Sequence, residues 1–286
     1  MIISPLARGR GDHEKDYKGK VAVVTGGGSG IGRSLAHAFA KRGARIVLAD
    51  IEKPALDSVA SELERAGSEV LALRVDVADS RQVAQLAESA HEAFGEVHIL
   101  CNNAGIGLGG RIKDLSLEEW DWVLRVNLYG VIHGLHAFLP QMLASGEPCH
   151  IVNTASLAGL VSVAGLSPYC ASKYAVMAIS EALAQECAGS NVGVSVLCPG
   201  WVKTRIHESE RYSGPGIPAR PETAEAQQIQ GLIRGLIGGG TDPDEIAQRV
   251  VEGIEQRVLY IFPNPGNLFE GVRARFDAVL AAGAKR

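Results

Sequence analysis

At 286 residues and 46% hydrophobic content, the chain is long enough to bury one large core, and one α/β domain of this size accounts for it. Its net charge of −4, with acidic and basic residues intermixed, leaves no footprint for nucleic acid or an anionic membrane. The five cysteines include no C-x-x-C pair, and their mostly apolar settings predict reduced, buried thiols.

Residues 1–18 are polar, Gly/Arg-rich and without periodicity, which predicts a flexible leader, and no apolar stretch makes them a signal peptide. From residue 19 onward a single domain is expected. Seven short apolar runs recur: Val21–Thr25, Arg45–Asp50, Val70–Val75, Val97–Cys101, His150–Ala155, Val192–Leu197 and Val258–Phe262. Val/Ile/Leu runs without alternation are what strands covered on both faces look like. Helical patterns lie between them, such as Ser34–Arg42, Pro54–Ala66 and Ser80–Phe94, and two more follow at Asp244–Gln256 and Leu268–Ala282. Strand and helix in alternation predict an α/β fold, a doubly wound seven-stranded parallel sheet with helices on both faces. Residues 148–172 carry no Asp, Glu, Lys or Arg. Their Ser, Gly and Pro content, with Asn153, predicts a buried strand and an active-site loop, not a membrane span. A soluble, cytoplasmic protein is expected. Residues 203–240 separate the sixth and seventh strands and hold Pro215, Pro218 and Pro221. A stretch that long inside one domain predicts a lid or binding insertion.

After the first run comes Thr25-Gly26-Gly27-Gly28-Ser29-Gly30-Ile31-Gly32. Glycines there permit a tight turn and let backbone amides approach a pyrophosphate at the positive end of a helix. The strict G-x-G-x-x-G spacing is absent; T-G-x-x-x-G-x-G is a distinct dinucleotide turn. A P-loop is the competing match, but Arg33 stands where that loop needs its lysine. Asp50 ends the second run, where a carboxylate accepts hydrogen bonds from ribose hydroxyls and repels a 2′-phosphate, so NAD is favoured over NADP. The plainer alternative is that Asp50 only caps the loop that follows.

Tyr169 and Lys173 lie four residues apart, so on a helix they share a face, and Pro168 suits that helix's first turn. A phenol acting as base near neutral pH must fall about three units from its usual value near 10, roughly 4 kcal/mol. A positive charge about 5 Å away, at an effective dielectric of about 20, supplies roughly 3 kcal/mol, and a second cation would complete the shift. On this reading Lys173 nearly suffices and Ser156 hydrogen-bonds the reacting oxygen. By itself a Y-x-x-x-K pair is more often a solvated surface pair.

Together with Asn102-Asn103-Ala104-Gly105, Asn127 and Pro199-Gly200, these residues resemble the short-chain dehydrogenase/reductase family over about residues 18–265. The resemblance implies an NAD-dependent enzyme acting on secondary alcohols or ketones. It implies Tyr169 as acid/base, Ser156 as the carbonyl-orienting hydroxyl, Lys173 as charge and ribose ligand, and Asn127 as holder of a proton-relay water. Asp76 and Val77 would line the adenine, Asn103 would sit beside the adenosine end, and Val202 and Thr204 would hold the carboxamide. It also implies a homotetramer or homodimer. Apolar candidate walls, among them Ile106, Leu157, Leu166, Trp201 and Ile206, favour a bulky hydrophobic or aromatic substrate over a sugar. Lys203, Arg205, His207, Arg211 and Arg220 could instead meet an anion. The ending from Leu259 to Pro265 is similar to that of bacterial members acting on aryl secondary alcohols. His133 and His136 lack a third ligand, so no metal is expected. A 3-oxoacyl-carrier-protein reductase and a non-catalytic NAD-binding protein are the alternatives.

Overall fold

Ala22, Val24, Ile46 and Leu48 lie in one apolar core, whereas their chain neighbours Val21, Val23, Val47 and Ala49 lie in another. Side chains alternate between the faces of a strand, so a sheet covered on both sides must be apolar at every position. That is why these runs show no alternation. The computed structural model describes residues 17–213, 217, 224–264 and 268–284.

The first half runs β1 (Val21–Thr25), α1 (Gly30–Lys41), β2 (Arg45–Asp50), α2 (Lys53–Arg65), β3 (Val70–Arg74), α3 (Ser80–Phe94) and β4 (Ile99–Asn102). The second continues with α4 (Leu117–Leu124), α5 (Gly130–Ala144), β5 (Cys149–Thr154), α6 (Ser167–Glu186) and β6 (Val192–Leu197), then α7 (Ala224–Gly238), α8 (Pro243–Glu255), β7 (Tyr260–Ile261) and α9 (Leu268–Gly283). All seven strands pair in parallel in the order β3-β2-β1-β4-β5-β6-β7. The expected doubly wound sheet is therefore present.

Differences from the expected elements have local causes. The seventh strand is shorter than its apolar run because among the described residues it pairs only with β6, and Ile261 is opposite Leu197, where β6 ends. Tyr17, placed in the leader by the sequence pattern, is buried against Phe39 at 5.9 Å between ring centroids, and its N–H donates to the Arg42 carbonyl at 2.9 Å. A single aromatic anchor has no periodicity to reveal it. The rest of the expected leader lies outside the described residues. Within 203–240 the chain forms a 3₁₀ segment at Ile206–Tyr212 and then α7.

Helix α4 begins in a capping box in which Ser116 Oγ accepts from Glu119 N–H at 3.2 Å and the Glu119 carboxylate accepts from Ser116 N–H at 2.8 Å. A π-turn, Arg125–Tyr129, joins α4 to α5. Such a turn inserts a residue into the helical repeat and re-aims the side chain within it. Here that side chain is Asn127, fully buried.

Candidate active site

The strand order reverses between β1 and β4, which opens a crevice at the carboxyl ends of the strands. A cleft of about 2140 Å³ lies there. The loops leaving β1, β2, β3, β4, β5 and β6 all contribute to its wall. Of the residues singled out from sequence, Gly26, Ser29, Gly30, Ile31, Asp50, Asp76, Val77, Asn103, Ser156, Tyr169, Lys173, Val202 and Thr204 line it. Gly32 and Asn127 stand behind that wall.

Gly26 has a φ of +66°, and a Cβ on Gly32 would overlap the Gly26 carbonyl. The turn therefore needs glycine at both places, once for backbone angle and once for the close approach of α1. Asn103 fastens the turn to the sheet: its side-chain amide donates to the Thr25 carbonyl at 3.0 Å, and its N–H donates to Thr25 Oγ1 at 3.0 Å. Asp50 accepts from Gly28 N–H at 2.8 Å through one oxygen and from Glu52 N–H at 2.9 Å through the other. Burial raises its pKa, and those backbone hydrogen bonds oppose the rise. A carboxylate offers about four acceptor sites and Asp50 lines the cleft, so it both caps its loop and remains an acceptor. Arg33, the residue that decided against a P-loop, bonds Glu62 at 2.7 Å and does not line the cleft.

At the other end Lys173 Nζ donates to the Thr154 carbonyl at 2.8 Å and lies 5.6 Å from the centroid of the Tyr169 ring. Burial lowers the Lys173 pKa to about 8, which leaves the amine mostly protonated at neutral pH. Ser156 Oγ accepts from Ala158 N–H at 3.1 Å. The Asn127 amide donates to the Ile106 carbonyl at 2.9 Å and to Ser172 Oγ at 3.2 Å, and its oxygen accepts from Ile106 N–H at 2.8 Å. Both amide hydrogens are thus committed.

One expectation is corrected. Lys173 does not by itself make Tyr169 acidic: burial pushes the phenol's pKa up, the hydrogen bond from Ser156 pulls against it, and Cys170 adds to the rise. One charge worth roughly 3 kcal/mol is opposed by desolvation, which acts on both partners when they are buried together.

The sequence singles out 203–240 as a lid or binding insertion, but not the contacts by which its 3₁₀ segment spans this crevice. Ser209 Oγ accepts from Gly107 N–H at 3.0 Å, and the Tyr212 hydroxyl donates to Glu52 at 2.6 Å. The 3₁₀ segment thereby joins the loop after β4 to the loop after β2, across the end of β1. The partners are 102 and 160 residues apart, and no local spacing reports them. Of the cationic alternative, Arg205, His207 and Arg211 line the cleft. Arg205 bonds Glu208 at 3.0 Å, Arg211 donates to the Arg205 carbonyl at 3.0 Å, Lys203 does not line the cleft, and Arg220 lies outside the described residues. His133 Nδ1 bonds the Val77 carbonyl at 2.9 Å. Among the described residues no group of three His, Cys, Asp or Glu could hold a metal, all five cysteines are free and buried, and no helix is long and apolar enough to cross a membrane.

Comparison with known proteins places this geometry among others. Residues 20–213 match the family described as short chain dehydrogenase. A Sphingobium protein named C alpha-dehydrogenase is 34% identical over 93% of this chain and 87% of its own length. The 1-deoxy-11-beta-hydroxypentalenate dehydrogenase of Streptomyces exfoliatus is 36% identical over 77% of this chain and 80% of its own length. The crystal structure of a short chain dehydrogenase/reductase from Burkholderia phymatum in complex with NAD superposes with a TM-score of 0.90 at 40% identity, covering 94% of this chain and 96% of that one. With its parallel sheet, its glycine turn and a match over most of its length, this chain belongs to the short-chain dehydrogenase/reductase family of oxidoreductases.

Proposed function

We propose that the protein is an NAD-dependent dehydrogenase that interconverts a bulky hydrophobic or aromatic secondary alcohol and its ketone. One observation carries this reading: Ser156, Tyr169 and Lys173 line the same cleft as the Gly26–Ile31 turn and Asp50. The turn and Asp50 suit the pyrophosphate and adenosine ribose, and the NAD complex of the Burkholderia relative supports that fit. When bound, NAD supplies a hydride acceptor at its nicotinamide C4. Tyr169 then takes the alcohol's hydroxyl proton while the carbinol hydrogen leaves with its electron pair, and the ketone remains. Ser156 donates to the oxygen as it becomes a carbonyl, Lys173 holds positive charge beside the phenolate, and Lys173 with a relay water held at Asn127 passes the proton outward. Val202 and Thr204 hold the carboxamide; Asp76, Val77 and Asn103 flank the adenosine.

Ile106, Leu157, Leu166, Trp201 and Ile206 line the substrate end, which supports an apolar substrate. The decisive experiment follows NADH formation spectroscopically with a panel of aryl and alkyl secondary alcohols. Turnover with NAD is expected. Ketone reduction with NADPH alone would favour a 3-oxoacyl-carrier-protein reductase, and binding without turnover a non-catalytic NAD-binding protein.

The pH profile follows from which form of Tyr169 each direction requires. Oxidation needs the phenolate, and burial raises the phenol's pKa, so below that pKa the base form grows with pH. We expect kcat/KM for oxidation to rise about tenfold per pH unit on its acid limb, and ketone reduction, which needs the protonated phenol, to fall on its alkaline limb. Steady-state rates in both directions over a range of pH check the opposed slopes.

A further inference from the structure

The tail after β7 does work that its place near the chain's end conceals. The Asn264 carboxamide oxygen accepts from Gly200 N–H at 2.9 Å, and its amide donates to the Trp201 carbonyl at 3.0 Å and to Thr241 Oγ1 at 3.1 Å. One side chain thus holds polar backbone groups of two successive residues in the turn leaving β6. The same turn is gripped from other sides. Thr241 N–H donates to the Trp201 carbonyl at 3.0 Å, and Lys203 N–H to the Thr241 carbonyl at 3.0 Å. The Gly240 backbone approaches so closely that a Cβ there would stand 2.6 Å from the Trp201 carbonyl carbon. Leu157 N–H donates to the Pro199 carbonyl at 3.0 Å, and Ser156 Oγ to that carbonyl at 3.4 Å. The turn therefore touches Ser156 at its start, and Val202 and Thr204 lie just beyond Asn264's contacts.

We infer that Asn264 is a positioning residue for the nicotinamide half of the coenzyme: by pinning Gly200 and Trp201 it fixes where Val202 and Thr204 stand relative to Ser156. The inference rests on the function proposed above. Its chemistry suits the task, because a carboxamide offers an acceptor and two donors in one plane, matching an N–H and a C=O from adjacent residues and one hydroxyl. Pro263 and Pro265 flank Asn264 in the sequence and narrow its backbone freedom, so little entropy is lost in holding the side chain there. Glycine at 240 and asparagine at 264 thus serve one turn from two separate segments.

The test compares two ligands that share everything except the nicotinamide: NAD and ADP-ribose. In Asn264→Ala, affinity for NAD is expected to fall about tenfold, as losing hydrogen bonds to the turn implies, while affinity for ADP-ribose stays within about twofold. The ratio of the two dissociation constants, measured by calorimetry, separates positioning from general destabilisation, which weakens both ligands alike. Asn264→Asp keeps the side chain's volume and the acceptor for Gly200 but sets an oxygen against the Trp201 carbonyl. It is expected to shift the ratio the same way, and it carries the test if the alanine variant does not fold. An unchanged ratio in a folded variant, or equal loss for both ligands, overturns the inference. Failure of the unaltered protein to bind NAD would instead overturn the proposed function, so the two failures are distinguishable.

Discussion

Tyr169→Phe is expected to lower kcat by about 10³-fold or more while leaving the dissociation constant for NAD within about twofold, since positioned acid–base groups contribute on that order. The substitution removes one hydroxyl and nothing else of size. The ring remains for the Lys173 ammonium, 5.6 Å from its centroid, and Lys173 keeps its hydrogen bond to the Thr154 carbonyl. What disappears is the atom that exchanges the substrate's proton. Ser156 also loses the partner whose pKa it lowers, but Ser156 retains its contacts with Ala158 and the Pro199 carbonyl. Calorimetric titration with NAD, alongside single-turnover rates at saturating alcohol, checks both halves of the expectation. Wild-type turnover in this variant would remove Tyr169 from the chemistry, and loss of NAD binding would mean that its role is architectural.

How far this site was legible in the sequence depended on whether each feature had a local period or spacing. Strands buried on both faces appear as continuous apolar runs, so β1, β2 and β6 match the expected spans residue for residue. The Gly26–Gly32 turn and the Tyr169–Lys173 pair are likewise local patterns with a steric or helical reason behind them. Features made by distant segments left no such trace. The Tyr212–Glu52 bond, the Ser209–Gly107 bond and the Asn264 clamp each join parts of the chain that only the finished sheet brings together. The π-turn at Asn127 was hidden for another reason. Its residues suit an ordinary helix, and the widened turn appears only where the Asn127 side chain meets Ile106 and Ser172. Energetics were less legible than placement. The Tyr169–Lys173 proximity follows from helical spacing, but the sign of the phenol's shift depends on a burial that spacing does not report.

Coenzyme choice turns on a single carboxylate. Asp50→Asn is expected to raise kcat/KM with NADP relative to NAD by about a hundredfold, because a 2′-phosphate carries up to two negative charges and would sit beside Asp50. Two like charges facing one at about 5 Å, at an effective dielectric of 40 or more, repel by roughly 3 kcal/mol, and each 1.4 kcal/mol is about tenfold. Asparagine keeps an oxygen for one of the two backbone donors, Gly28 or Glu52, that the carboxylate now satisfies, so the turn should retain its shape. The nearby carboxylate of Glu52 is already partnered by the Tyr212 hydroxyl at 2.6 Å, with the Arg211 and Arg205 guanidiniums at 3.8 and 3.9 Å. Its charge is therefore offset in a way that Asp50's is not: among the described residues Asp50 is held by backbone N–H groups alone, and burial already raises its pKa. Competition assays with both coenzymes at one ionic strength measure the ratio directly. A ratio unmoved by Asp50→Asn would show that the shape of the pocket, and not the carboxylate's charge, excludes the phosphate.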